Sequence, residues 1–220
     1  LAEFTKAFAA THPRQVVESV LVDALSVREV WVGHDFSFGT GRSGTVEYLK
    51  ELGNEFGFKV FLVPAYKRRN EVVSSSLIRA YVRDGEVKKA AGLLGRLYSI
   101  KGRVVRGKDM GKEIGFPTAN LDVESELVPK DGVYAAFATL DGQEREAVLN
   151  IGVAPTFGGK TRAIEVHILD FMGDIYGKKV EVRFAERLRD EAAFLSREAL
   201  LKAIKKDVDR ARKILGRRRS

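Results

Sequence analysis

The sequence predicts two architectures in series: a parallel α/β portion, then a small β-barrel closed by a C-terminal helix. Three observations predict it. Up to about residue 83, short apolar strand stretches alternate with helix-spaced ones, the signature of a parallel sheet. From about residue 98, stretches with period-two alternation follow one another with Gly or Pro between them and no helix intervening, as in a small barrel. After residue 196 an apolar stripe at helical spacing runs to residue 215.

The elements follow in order. Leu1-Ala-Glu-Phe-Thr-Lys-Ala-Phe8 reads as part of a helix with no leading strand, and residue 1 is not Met, so the start of the chain looks cut. Val16, Val17, Val20, Leu21 and Leu25 give residues 15–25 one buried helical face. Glu29-Val-Trp-Val-Gly33 is a short strand entering a Gly-rich loop, residues 45–56 are helical, and Lys59-Val-Phe-Leu-Val63 is a second strand. Ser74-Ser75-Ser76 caps a helix running to about Arg83. Two strands are few for a parallel sheet, which suggests that more of it lies upstream. The pattern changes around Gly92-Leu-Leu-Gly95, so the domain boundary is expected between residues 94 and 95. Residues 98–106, 132–140, 145–151, 162–171 and 178–184 read as strands. The last helix, from about Ser196 to Leu215, buries Leu200, Leu201, Ile204, Val208, Ala211 and Leu215.

With 220 residues, one or two domains fit. A hydrophobic fraction of 45% excludes a disordered chain, and no apolar run approaches a membrane span. The absence of cysteine excludes a disulfide scaffold, a thiolate metal site and a cysteine nucleophile. His12, His34 and His167 are too scattered for a zinc-type spacing. With no disulfide and no signal peptide, a cytoplasmic location is expected. The net charge of +8 is concentrated at one end: residues 202–220 carry nine Lys or Arg against two Asp, leaving the rest of the chain at +1. That distribution suits a solvated terminal helix ending in Arg217-Arg218-Arg219 better than a basic nucleic-acid face.

Three clusters have chemical potential. In Gly107-Lys-Asp-Met-Gly111-Lys-Glu-Ile-Gly115-Phe-Pro-Thr118-Ala-Asn120, three glycines in nine residues let a backbone curl its N–H groups around a phosphate. Thr118 and Asn120 alternate with Ala119, so in an extended segment they point the same way, a hydroxyl and an amide oxygen suited to Mg²⁺. The competing reading is a Gly-rich hairpin and an edge strand. In Ala163-Ile-Glu165-Val-His167-Ile-Leu-Asp170-Phe, Glu165 and His167 share one strand face. A carboxylate is unusual there and could accept a hydroxyl proton, or pair with a lysine at a barrel mouth. Ser74-Ser-Ser-Leu-Ile-Arg79 opens a helix whose free N–H groups, hydroxyls and Arg79 could hold an anion, or serve as a plain cap and a surface Arg. Ala154-Pro-Thr-Phe-Gly-Gly159-Lys160-Thr161 approaches the P-loop pattern, but Ala stands where its first Gly belongs and no helix follows.

These clusters, in this order, resemble the prokaryotic bifunctional riboflavin kinase/FAD synthetase family. The resemblance rests on Val32-Gly-His-Asp-Phe-Ser-Phe-Gly39, Val73-Ser-Ser-Ser-Leu-Ile-Arg79, Leu94-Gly95, Gly115-Phe-Pro-Thr-Ala-Asn120, Gly132-Val-Tyr134, Asn150-Ile-Gly-Val-Ala-Pro-Thr-Phe157, Glu165-Val-His-Ile-Leu-Asp-Phe171 and Leu188-Arg-Asp-Glu191. It implies a partial nucleotidyltransferase-like (Rossmann-like) FMN adenylyltransferase domain over 1–94, followed by a six-stranded riboflavin kinase barrel with its C-terminal helix over 95–220. It implies ATP and Mg²⁺ as cofactors, and riboflavin, FMN and FAD as substrates and products. Under it, Glu165 is the catalytic base, Thr118 and Asn120 hold metal and phosphate, and Gly107, Gly111 and Gly115 form the nucleotide flap. Arg189 belongs to the flavin side, and Ser74, Ser75, Ser76 and Arg79 form an adenylyltransferase half-site. The family's Gly-x-Phe-Asp-Gly-x-His-x-Gly-His motif has no counterpart here, so FMN synthesis is expected and FAD synthesis is expected to be impaired. The expected partners are small molecules, with neither nucleic acid nor membrane, and the oligomeric state is open. The alternatives are a basic nucleic-acid-binding barrel and a nucleotidyltransferase acting on another substrate.

Overall fold

A computed structural model describes residues 3–68, 70–107, 115–156 and 159–216. Packing divides the chain into two compact units, Leu1–Val73 and Ser74–Ser220. The expected boundary at 94/95 therefore falls inside the second unit.

In the first unit, α1 is a single turn, Lys6–Ala9, capped by the Thr5 hydroxyl. Leu1 and Ala2 of the expected opening helix lie outside the described residues. The helix expected over 15–25 is instead a short α-turn, α2 (Pro13–Val16), running into a π-helix over Val17–Ala24. There Leu25 N–H reaches the carbonyl of Val20, a wider turn than an α-helix makes. The apolar positions 16/17, 20/21 and 25 advance by four to five residues, which suits that wider turn. Strand β1 (Glu29–Gly33) pairs in parallel with β2 (Lys59–Val63) through the crossover helix α3 (Val46–Phe56). Thr45 caps α3 by accepting from Tyr48 N–H. Gly57, at φ +82, ends it in the left-handed region that an L side chain resists. Val17, Val32, Val46, Leu49, Leu52 and Phe58 form the core on one face of the sheet. On the other face Trp31 stacks on Phe61 at 4.3 Å and remains 64% exposed. A small hairpin, β3 (Lys67–Arg68) with β4 (Glu71–Val72), follows.

The second unit opens with α4 (Ser75–Arg83), whose N-cap is Ser74, and α5 (Val87–Leu94), which ends at Gly95 in the left-handed region. Helix α5 belongs with the barrel, because Val87 is fully buried in the barrel core. The barrel strands are β5 (Ser99–Val105), β6 (Ala119–Val123), β7 (Gly132–Leu140), β8 (Gln143–Thr156), β9 (Gly159–Ile168) and β10 (Lys179–Arg189). They close antiparallel in the order β10-β5-β6-β9-β8-β7, giving the six-stranded barrel that the resemblance implies. The described part of the near-P-loop stretch falls on paired strands, Ala154↔Thr161, Pro155↔Lys160 and Thr156↔Gly159, with no helix following. Alternation sorts the walls. Ile100, Leu121, Ala136, Leu149, Val166, Val182 and Phe184 fill the interior. Val133, Ala135, Phe137 and Val148 face outward, where the C-terminal helix (Arg197–Gly216) covers them with Val208, Ala211 and Leu215. Arg217-Arg218-Arg219 lie outside the described residues.

Candidate active site

The outer wall of the barrel carries a polar row that strand pairing assembles from distant sequence. Asn120 on β6 stands opposite Glu165 on β9, and Glu165 stands opposite Asn150 on β8. Flanking residues fix the direction. Ala119, Leu121, Val166, Ile164, Leu149 and Ile151 all point into the barrel, so Asn120, Glu165 and Asn150 point out. Directly opposed residues have Cβ atoms about 4.5–5.5 Å apart, so one carboxylate sits between two primary amides. All three are half-buried. The row is bordered by Val105 on β5 and Val133 on β7, the latter packed under the C-terminal helix.

The segment preceding β6 bends over this wall. Gly115, at φ +82, turns the chain, and Phe116, Pro117 and the half-buried Thr118 lead into the strand. Pairing between β6 and β9 begins at Ala119↔Val166, so Thr118 falls one position before it, beside the outward-pointing His167. Gly107, at the far end of the glycine loop, lies against Asn120, and a Cβ there would overlap the Asn120 side-chain amide. Thus Gly107 leaves the room that Asn120 occupies. Gly111 lies outside the described residues.

The donor chemistry fits a hard cation. Thr118 offers a hydroxyl and Asn120 an amide oxygen. Among the described residues no group of three or more His, Cys, Asp or Glu could hold a metal on its own. Two neutral oxygens suit a Mg²⁺ ion that draws the rest of its shell from phosphates and water.

Arg189 is committed elsewhere within the second unit. Its Nε donates to both carboxylate oxygens of Asp207, at 3.0 and 3.2 Å, its Nη1 donates to the carbonyl of Asp190 at 2.9 Å, and its guanidinium lies over the Phe194 ring. Asp207, only 6% exposed, is the buried acidic residue of the C-terminal helix, and Arg189 is its counter-charge. Two residues on, the Glu191 carboxylate lies over Gly152, where a Cβ would overlap it. Gly152 follows Asn150 on the same wall, so the turn after β10 overhangs one end of the polar row. Past the end of β9, Asp170 pairs with Arg212 through two bonds of 2.7 and 2.8 Å, which hold its carboxyl below the ordinary value.

Comparison with known proteins then places the chain. A family model described as riboflavin kinase matches residues 94–215, and one described as FAD synthetase matches residues 1–77. A bifunctional riboflavin kinase/FMN adenylyltransferase of Pseudomonas fluorescens is 39% identical over 210 residues, covering 95% of this chain and 68% of the relative. The chain belongs to the bifunctional riboflavin kinase/FMN adenylyltransferase family. The Escherichia coli (strain K12) member is 36% identical over 214 residues, covering 97% of this chain and 68% of the relative. A solved structure from Streptococcus pneumoniae, described as a macrolide-efflux protein, superposes with TM-score 0.86 at 34% identity, covering 96% of this chain and 68% of that one. Among the described residues no helix is long and apolar enough to cross a membrane.

The riboflavin kinase match spans the whole polar row, and the FAD synthetase match ends within the first turn of α4. There Ser74 Oγ accepts from Leu77 N–H at 3.2 Å, while Ser75, Ser76 and Arg79 are exposed on the helix that Ser74 opens. Two residues of the kinase-half wall escaped selection as site residues. Asn150 was visible only as part of an Asn-Ile-Gly run, and its place beside Glu165 depends on β8–β9 register. His167 was visible as sharing the Glu165 face, but its partner lies fifty residues away at Pro117.

Proposed function

We propose that the chain is a riboflavin kinase, transferring the γ-phosphoryl group of ATP to the ribityl 5′-hydroxyl of riboflavin to give FMN. The observation that carries this reading is the carboxylate of Glu165, held on the barrel's outer wall between Asn120 and Asn150. The names of the family's members support the substrate assignment.

The roles follow from the wall. Glu165 orients the flavin hydroxyl and takes its proton as the oxygen attacks phosphorus. Asn120 and Thr118 hold the phosphate end of the nucleotide on the same wall, so the attacking oxygen and the γ-phosphorus meet in line. Mg²⁺, held by Thr118 and Asn120, would offset charge on the β- and γ-phosphates. Gly107, Gly111 and Gly115 are assigned to the nucleotide side, with Gly107 leaving the room that the Asn120 amide occupies. Arg189 serves the flavin side indirectly, by fixing the end of β10 and the turn that carries Glu191. The kinase function is assigned to residues 95–220, with α5 as a structural support. An enzyme using ATP and free flavin works in the cytoplasm, where both are supplied.

For the family's second activity, Ser74, Ser75, Ser76 and Arg79 form an anion-binding helix start that would hold phosphates during adenylylation of FMN to FAD. The nucleic-acid reading is weakened by the C-terminal helix, where Arg210 donates to the Leu188 carbonyl and Arg212 pairs with Asp170, so part of its charge is spent internally. Incubation with riboflavin, ATP and Mg²⁺, followed by chromatography, tests the main reading. FMN is expected, and its absence with intact folded protein would overturn the assignment.

A further inference from the structure

We propose that His167 is a positioning residue that seats the nucleotide-binding segment Phe116-Pro117-Thr118 on the barrel wall. This deepens the kinase reading and rests on it.

Strand pairing does not hold this segment. Pairing of β6 with β9 starts at Ala119↔Val166, and Pro117 has no N–H to extend the ladder. A side chain does the holding instead. His167 Nδ1 lies 2.8 Å from the Pro117 carbonyl oxygen. A carbonyl only accepts, so Nδ1 carries the hydrogen and donates it. The same imidazole meets the Phe116 ring edge-on, with centroids 5.5 Å apart and planes at 72°. Phe116 in turn packs against the apolar cluster between the barrel and the C-terminal helix. Thus His167 grips the backbone at Pro117, while Phe116 wedges the chain just before it.

The geometry gives this grip a catalytic consequence. His167 and Glu165 are two residues apart on β9 and point the same way, toward Thr118 and Asn120 respectively. One strand therefore carries both the proton acceptor and the peg that sets the height of the phosphate-binding segment. Displacing that segment by about 1 Å would spoil in-line geometry without touching the carboxylate. His167 is not expected to contact substrate. Its neighbours are Val148, directly across on β8, and the carboxylate of Asp170, itself held by Arg212.

The test uses amide isosteres in the full chain. The side-chain nitrogen of Asn overlies imidazole Nδ1, whereas that of Gln overlies Nε2. His167→Asn therefore keeps the bond to Pro117, while His167→Gln and His167→Ala lose it. The expected result is that His167→Asn stays within about threefold of the parent protein. His167→Gln and His167→Ala should weaken Mg²⁺-ADP binding, measured by titration calorimetry, by up to about tenfold, the scale of one intramolecular hydrogen bond. The KM for ATP should rise in parallel, while riboflavin affinity, read by quenching of flavin fluorescence, stays unchanged. Equal behaviour of the Asn and Gln variants would overturn the proposal. So would a loss of riboflavin affinity and melting temperature together with nucleotide affinity, since that marks a merely structural residue. If the parent protein makes no FMN, the kinase reading fails. The Asn-versus-Gln split in Mg²⁺-ADP affinity still decides the role of His167.

Discussion

In the barrel every strand has two hydrogen-bonded neighbours, whereas β1 and β2 of the first unit each have one. Among the described residues the barrel cluster holds eighteen buried residues against six in the first unit's cluster, so closure concentrates the stabilising apolar burial in the second unit. The outer faces differ as well. The apolar patch on the barrel's outer wall is covered by the C-terminal helix, while Trp31 and Phe61 form a stacked pair with Trp31 still 64% exposed. The lesson concerns precision. A closed wall fixes register on both sides of every strand, so three polar residues from three strands can be held in line on its surface. An open parallel pair offers no such lattice, and the Ser74–Arg79 candidates, at the start of the second unit, lie on a helix start rather than on a paired strand.

The largest expected effect comes from removing the centre of that line. Glu165→Gln should lower FMN formation by about 10²-fold or more, the scale of lost general-base help, with melting temperature unchanged because the residue is half-buried on an outer wall. Near-normal turnover would mean that the barrel's register has no catalytic purpose. One step smaller, Asn120→Ala and Thr118→Ala should each raise the Mg²⁺ and ATP required for half-maximal rate by about tenfold, leaving riboflavin affinity alone. Gly107→Ala should reproduce the Asn120→Ala result, because its Cβ takes the space of the Asn120 amide. If Gly107→Ala is silent while Asn120→Ala is not, the amide has another place to go.

Much of this was legible in sequence, and what was missed has a common cause. Alternation put Thr118 with Asn120, and Glu165 with His167, because period two is local. It could not show that Asn120 faces Glu165, which depends on the β6–β9 register across forty-five residues. Nor could it show that Arg189 is bound to Asp207, a contact between a strand end and the buried face of a helix. Strand β6 escaped the strand count because it is five residues long and starts straight after Pro117 and Thr118. Helix α5 is hard to see in sequence because it is only eight residues long, set between Gly85 and Gly95, and Gly95 is its left-handed stop. The π-helix was read as an ordinary helix because its apolar spacing differs from α by less than one residue per turn.

The two ways of dividing the chain, by packing at 73/74 and by family match at 94, sharpen the comparison of the two units. Val87 is fully buried in the barrel core, and Lys88 reaches Glu186 on β10 at 2.9 Å. A fragment over 74–220 should therefore be more stable than one over 95–220, by about 2 kcal/mol or more from the lost burial of Val87 alone. Urea melts of the two fragments measure this directly. Equal midpoints and slopes would show that α5 rests on the barrel without supporting it, and would restore 95 as the working boundary.

The smallest effect concerns the fastening of the helix that covers the barrel wall. Asp170 lies two residues past β9 and accepts two bonds from Arg212 of the C-terminal helix. The hydrogen bonds and charge of Arg212 hold the Asp170 carboxyl below its ordinary value of 3.8. A carboxyl depressed in the folded state stabilises it fully above the unfolded value, and loses that contribution as pH falls through the folded one. Asp170→Asn should therefore melt slightly below the parent protein at pH 7. The gap should narrow below about pH 3.8 and vanish once the parent's Asp170 is also neutral. Because both partners are largely exposed, the neutral-pH gap should also shrink as salt is added. Melting curves at pH 7, 4 and 3, each at low and high salt, measure it. A gap that does not narrow at all between pH 7 and pH 3 would assign the effect to lost packing or hydrogen-bond geometry at the end of β9. The helix would then be held to the wall chiefly by the apolar contacts of Val208, Ala211 and Leu215 and by the Arg189–Asp207 pair.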